Sequence, residues 1–189
     1  FKVGSQDDPK GKEGLAALTA AMLSEGGTVN RSYDAILEAL FPMASSYNCN
    51  ASTEMTVFTG SVHIDNLNDY YTLFIDQLLN PAFPQDVFDR LKQNMLNYLT
   101  TTLKYASDEE LGKALLYGSI FDNTPYGHLT SGTVSGLNSI TLQDVKDFYL
   151  RYYNKNNYVL GIAGGYSDGF LSTLQSDLQK LNDGKENTT

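Results

Sequence analysis

Tryptophan is absent, cysteine occurs once and histidine twice in 189 residues. A single cysteine, Cys49, excludes an internal disulfide and a cysteine-built zinc centre. With no His or Asp at a telling distance from it, Cys49 reads as a buried, idle thiol, and it leaves the cellular compartment open. His63 lies in an apolar, strand-like run and His128 in a turn. Neither has companions at metal-binding spacing, so both read as structural or surface residues. Basic residues are scarce as well, 13 Lys and Arg against 22 Asp and Glu, for a net charge of −9. Such a chain repels nucleic acid and anionic membrane surfaces and attracts, if anything, basic peptides. No apolar run approaches the roughly 18 residues of a membrane span, and the first residues do not form a signal peptide. Phe1-Lys2-Val3-Gly4 reads as the end of a strand whose start is missing, so the chain is expected to begin inside a longer polypeptide.

Helix and strand signals alternate along the rest. Leu15, Leu18, Met22 and Leu23 fall at i, i+3, i+7 and i+8 and make one apolar stripe, with alanines on the other faces. Ser32 opens a second helix with Ile36, Leu37, Leu40 and Phe41, stopped by Pro42. Residues 45–51 and 55–64 suit an antiparallel hairpin turning near Ser52 and Thr53. Asp65 is expected to cap a helix that runs to Asn80-Pro81. A long helix follows from Gln85, carrying Tyr98. Ser107 with Glu110 and Thr141 with Asp144 read as capping boxes, each starting a helix. Residues 158–164, Tyr-Val-Leu-Gly-Ile-Ala-Gly, read as a buried strand, and residues 170–181 as a last helix. One α+β domain over residues 1–182 is expected, with helices banked on one face of the sheet and a polar tail over 183–189. The tyrosines Tyr105, Tyr117, Tyr126, Tyr149, Tyr152 and Tyr153 fall at helical spacing and read as core and rim packing before a peptide-binding wall. Asp7-Asp8-Pro9 reads as loop geometry, since no ladder of oxygen ligands follows it.

The frame of the first helix carries a resemblance. Its acidic Asp7-Asp8-Pro9 turn, the Gly11-Lys12-Glu13-Gly14-Leu15-Ala16 approach and the Gly26-Gly27-Thr28 exit resemble the inverted-zincin peptidases of the insulinase/pitrilysin (M16) family. Pro125-Tyr126-Gly127 with Gly132-Thr133, the helix over 142–153, and the 158–164 run with Gly164-Gly165 resemble further landmarks of that family in the same order. The resemblance implies an M16 half-domain of the LuxS/MPP-like type, with an antiparallel-rich sheet of about five or six strands and helices on one face. It places the family's His-x-x-Glu-His on Ala17, Ala20 and Ala21 and the later Glu ligand on Tyr98. A methyl group neither binds zinc nor moves a proton. All four positions are therefore vestigial, and Tyr98 is expected to pack against the first helix.

Such a resemblance points to a non-catalytic M16 domain, not an enzyme by itself, with no cofactor of its own and zinc only in a catalytic partner half. Its expected partners are a second M16-type domain or subunit and an unfolded peptide enclosed between the two. The alternative is a stand-alone scaffold or interaction module that kept the fold without peptidase activity. The acidic, Asn- and Tyr-rich composition and the family's habits point to a bacterial periplasm or a secreted location.

Overall fold

Helix α1, Leu15–Glu25, is the centre of the fold, and the computed structural model, which describes residues 1–187, buries it on nearly every side. The single stripe expected from its leucines understates this burial. Ala16, Thr19 and Ala20 are buried along with Leu15, Leu18, Met22 and Leu23. A helix this short in side chain lets its neighbours approach closely, and it packs against β1 (Ser46–Ala51), α4 (Gln85–Asn97) and α8 (Leu142–Tyr152). Val3, Phe88, Leu91, Leu137, Val145 and Phe148 belong to the same main core.

Two smaller clusters flank it. Helix α2, Tyr33–Leu40, starts at Ser32, whose hydroxyl accepts the Ala35 N–H at 3.3 Å, and it brings Ile36 and Leu40 against Tyr47, Tyr70 and Leu73. Helices α3, Leu67–Leu79, and α9, Asp168–Leu178, bring together Leu78, Leu174 and Leu178 with Leu181.

The hairpin forms as its residues predict. β1 pairs antiparallel with β2, Thr56–Ser61, in the register Ser46 with Ser61 through Ala51 with Thr56. Among the described residues these are the only strands of the sheet. The expectation of five or six strands is not met. Phe1 pairs with Thr56 through backbone hydrogen bonds but forms no strand, and residues 158–164 run without ladder bonds of their own. His63 lies past the end of β2, capping a 3₁₀ turn over Ile64–Asn66, and Asp65 sits inside that turn instead of capping α3.

Between α4 and α5, Leu103–Ala106, a π-helical turn over Tyr98–Thr102 keeps the helix continuous. Helix α6, Asp108–Ile120, follows. Ser107 makes no side-chain cap bond, so the capping box expected there does not close. The box at Thr141 does: its side chain accepts the Asp144 N–H at 3.3 Å while Asp144 accepts the Thr141 N–H at 2.8 Å.

The segment before α8 contains a short helix that the sequence pattern does not announce, α7, Val134–Ser139. It docks on the approach to α1. Gly132, at φ +86°, lies so close to Glu13 that a Cβ there would stand 2.2 Å from the Glu13 carbonyl oxygen. Only glycine satisfies both the angle and the contact. Of the tail expected over 183–189, residues 188 and 189 lie outside the described residues. Asn156 Nδ2 donates to Gly184 O at 2.7 Å, and Asn154 Nδ2 to Lys185 O at 3.2 Å, which ties the tail to the end of α8. Among the described residues no helix is long and apolar enough to cross a membrane.

Candidate functional site

Both ends of α1 are fixed by side chains from elsewhere. At the N-terminus the Asp8 carboxylate accepts the N–H groups of Gly14 and Ala16, each at 2.7 Å, and so satisfies donors that a helix start leaves free. Burial pushes the Asp8 carboxyl up to about 6, against the lowering effect of those two N–H bonds. At the C-terminus Gln77 Nε2 donates to Leu23 O. The turn Gly26-Gly27-Thr28 is held by Asp76, which accepts from Thr28 Oγ1 at 2.7 Å, Asn30 Nδ2 at 2.8 Å and Asn80 Nδ2 at 2.9 Å. The acidic turn thus caps the helix, a role that its reading as loop geometry does not include.

On α1, Ala17 and Ala21 are half-buried, while Ala20 is 2 % exposed and faces the core. Tyr98 stands where α4 passes into the π turn. Helices α1 and α4 adjoin, and Ala21, Met95, Leu96 and Leu99 all pack on the same core cluster. Tyr98 does not share in this packing. It is 40 % exposed, contrary to the expectation of a ring buried against α1. A π-helical turn begins at Tyr98, at the end of the apolar stripe of α4, where the ring is left at the rim of the core.

These residues do not fit a zinc ion. Two methyl groups offer no lone pair, and a half-exposed phenol is not a substitute for a carboxylate. Among the described residues no three His, Cys, Asp or Glu side chains are grouped to hold a metal. Cys49 is buried in the main core, and desolvation drives its thiol far above the ordinary range, away from nucleophilic use.

The tyrosines divide. Tyr149 and Tyr153 are core residues, the former donating its hydroxyl to Leu78 O at 2.8 Å, and Tyr152 is half-buried against Phe148. Tyr105, Tyr117 and Tyr126 are exposed. Around Tyr117 lies a surface that helical periodicity did not disclose: α6 buries no residue, and Leu115, Leu116 and Ile120 are open to solvent, Leu115 at 68 %. A cleft of about 490 Å³ also separates β2 from residues 158–164, floored by Leu78, Phe170 and Leu174. Its sequence signal was the strand-like 158–164 run, for which the described residues hold no partner strand.

Comparison with known proteins bears on the family and the fold. The model of the family described as insulinase (peptidase family M16) matches residues 1–133. A Helicobacter pylori protein described as non-peptidase homolog YmxG is 29 % identical over 187 residues, which is 98 % of this chain and 42 % of that protein. A probable mitochondrial-processing peptidase subunit beta of Arabidopsis thaliana is 24 % identical over 85 % of this chain and 30 % of its own length. Among solved structures, a peptidase M16 inactive domain from Pseudomonas fluorescens superposes with a TM-score of 0.87 at 25 % identity, over 100 % of this chain and 45 % of that one. The chain spans less than half the length of these relatives. By the family match over residues 1–133 the chain belongs to the insulinase family of peptidases, M16, and it carries no His-x-x-Glu-His of its own.

Proposed function

We propose that this chain is the non-catalytic half of an M16 peptidase: it pairs with a half that carries His-x-x-Glu-His and zinc, and closes with it around an unfolded peptide. The observation that carries this reading is the α6 face. Leu115, Leu116, Tyr117 and Ile120 project from one 13-residue helix, with Tyr105 beside it, and none is covered. An apolar surface rimmed by acidic residues such as Asp108, Glu109 and Glu110 is the composition of an interface, not of a solvated helix. Relatives more than twice as long as this chain give room for the second half. The net charge of −9 favours basic unfolded peptides inside such an enclosure.

The test mixes this chain with an M16 chain of the same genome that carries an intact His-x-x-Glu-His, and follows cleavage of a quenched, unstructured peptide together with the mass of the complex in solution. A stable heteromer with activity above that of the catalytic chain alone is expected. Leu116→Asp with Ile120→Asp, both outward on α6, should abolish the complex while leaving circular dichroism unchanged. A heteromer that forms but leaves the cleavage rate unchanged, or the absence of any heteromer, would replace this reading by that of a stand-alone interaction module.

A further inference from the structure

A hollow of about 500 Å³ lies between the exit of α1, helix α3 and the end of α9. That volume is in the range of small-molecule sites. Its floor is two neighbouring rows of α3. Tyr71, Ile75 and Leu79, at i, i+4 and i+8, form a half-buried apolar row, and Thr72, Asp76 and Asn80, at the same spacing, form a polar row beside it. Arg31 comes from the turn after α1, and Asp177 and Lys180 from α9 and the residues just past it.

The hollow holds two positive and two negative groups, and they are not equally spent. Asp76 is buried, and its oxygens accept from Thr28, Asn30 and Asn80 at 2.7, 2.8 and 2.9 Å. Asp177 accepts from Tyr71 Oη and from Lys180 Nζ, each at 2.6 Å and one on each oxygen. Both carboxylates thus have their charge met by donors of the protein. Arg31 is different. Its Nη1 lies 3.7 Å from Asp76 Oδ2, an ion pair too long to be a hydrogen bond, and among the described residues its guanidinium makes no hydrogen bond. The whole donor fork of a guanidinium is therefore open, on a side chain that is 42 % exposed. A cation entering the hollow would find its carboxylates taken, whereas an anion would find a planar set of donors above an apolar floor.

We propose that this hollow binds a small amphipathic carboxylate. Its charged group would lie on Arg31 in the two-bonded pairing that guanidinium makes with carboxylates, and its alkyl part along Tyr71, Ile75 and Leu79. A bare phosphate would leave the apolar row wet, and an uncharged apolar molecule would leave the Arg31 donors unmet. Two sources share the required chemistry, a free branched-chain acid and the C-terminus of a short peptide that ends in an apolar residue. None of Leu115, Leu116 and Ile120 lines the hollow, so this inference stands without the pairing proposed for α6.

N-acetyl-leucine and N-acetyl-leucinamide share a side chain and differ in the carboxylate, and both are titrated into the isotope-labelled chain by NMR. The acid is expected to saturate with a Kd of about 1 mM or below and to move the amide signals of Arg31, Ile75 and Leu79, while the leucinamide binds about tenfold more weakly or not at all. Arg31→Gln, checked by its melting temperature, should bring the acid down to the level of the leucinamide. Should that variant not fold, the parent serves at raised salt: about 0.5 M NaCl should weaken the acid and leave the leucinamide unchanged. N-acetyl-Gly-Gly-Leu separates the two sources, since binding tighter than that of N-acetyl-leucine assigns the site to a peptide end, and equal or weaker binding to a free acid. Equal affinity for acid and leucinamide, signals that move elsewhere in the chain, or no saturation by about 10 mM acid would each overturn the proposal. So would inorganic phosphate that binds at the same residues as tightly as the acid.

Discussion

Thr28 Oγ1 donates to Asp76 Oδ2 at 2.7 Å, and both side chains are buried where the exit of α1 meets the end of α3. Asp76 accepts from Asn30 and Asn80 through its other oxygen. Asp76→Ala would leave several donors without a partner in a buried turn, so a loss of about 2–3 kcal/mol in urea unfolding is expected. Asp76→Asn, which keeps one acceptor oxygen, should cost less. A loss below about 1 kcal/mol for the alanine variant would mean that the turn is not held through this carboxylate.

Tyr98→Ala is expected to be mild. A buried aromatic ring removed to alanine costs about 3–5 kcal/mol, but Tyr98 is exposed beside the π turn, and a surface change of this kind costs about 1 kcal/mol or less. Thermal melts of parent and variant decide the matter. A large drop would return the ring to the α1–α4 contact.

Zinc affinity can be tested by substitution. Ala17 and Ala21 lie one turn apart on the half-buried side of α1, and α4 adjoins it. The triple variant Ala17→His, Ala21→His and Tyr98→Glu should take up one zinc in a calorimetric titration where the parent takes none. Its affinity should fall short of a natural site, since missing groups that orient the histidines are worth about ten- to a hundredfold. Ala20→Glu, the remaining family position, is a different matter. It places a carboxylate at a 2 % exposed site in the main core and should lower stability by about 3 kcal/mol or more. A folded triple variant that binds no more zinc than the parent would show that the three positions do not converge.

Asp8 should titrate late. Its folded carboxyl is pushed up to about 6 by burial, from an ordinary value of 3.8, although Gly14 and Ala16 donate to its charged form. A group raised in this way contributes stability that is fully present below about 3.8 and is lost as the pH rises through about 6. Carbon-detected NMR of the Asp8 carboxyl should give a midpoint near 6. A midpoint at or below 4 would mean that the two N–H bonds outweigh the desolvation.

Elements whose determinants are local were legible in the sequence. The Ser32 and Thr141 caps, the apolar stripe of α1 and the β1–β2 hairpin each depend on a few neighbouring residues, and each is present. Where the outcome depends on distant contacts, the sequence misled. Residues 158–164 have strand composition, but a strand exists only when its backbone is paired, and among the described residues no neighbour supplies the pairing. Ser107 has the right spacing to Glu110, yet its backbone, at φ −147° and ψ 64°, makes no side-chain cap. Helix α7, six residues with Gly136 at its third position, is too short for periodicity to reveal; only the Thr133 cap marked it. The exposure of Tyr98 was not legible: its spacing of seven from Leu91 puts it on the apolar stripe of α4, and only the neighbouring elements decide whether that end of the stripe is covered.

Helix α6 has a kinetic consequence. Thirteen residues are about the length at which an isolated helix is marginal in water, and α6 has no buried side chain to add tertiary support. It is therefore expected to open and close on its own, far more often than the α1 core unfolds. A protease added in trace amounts would therefore make its first cut within α6 or the loop that follows it, and leave a nicked chain that still melts cooperatively. The rate of that cut is a direct meter of cover: any partner that takes up Leu115, Leu116 and Ile120 would slow it before any other property of the chain changed.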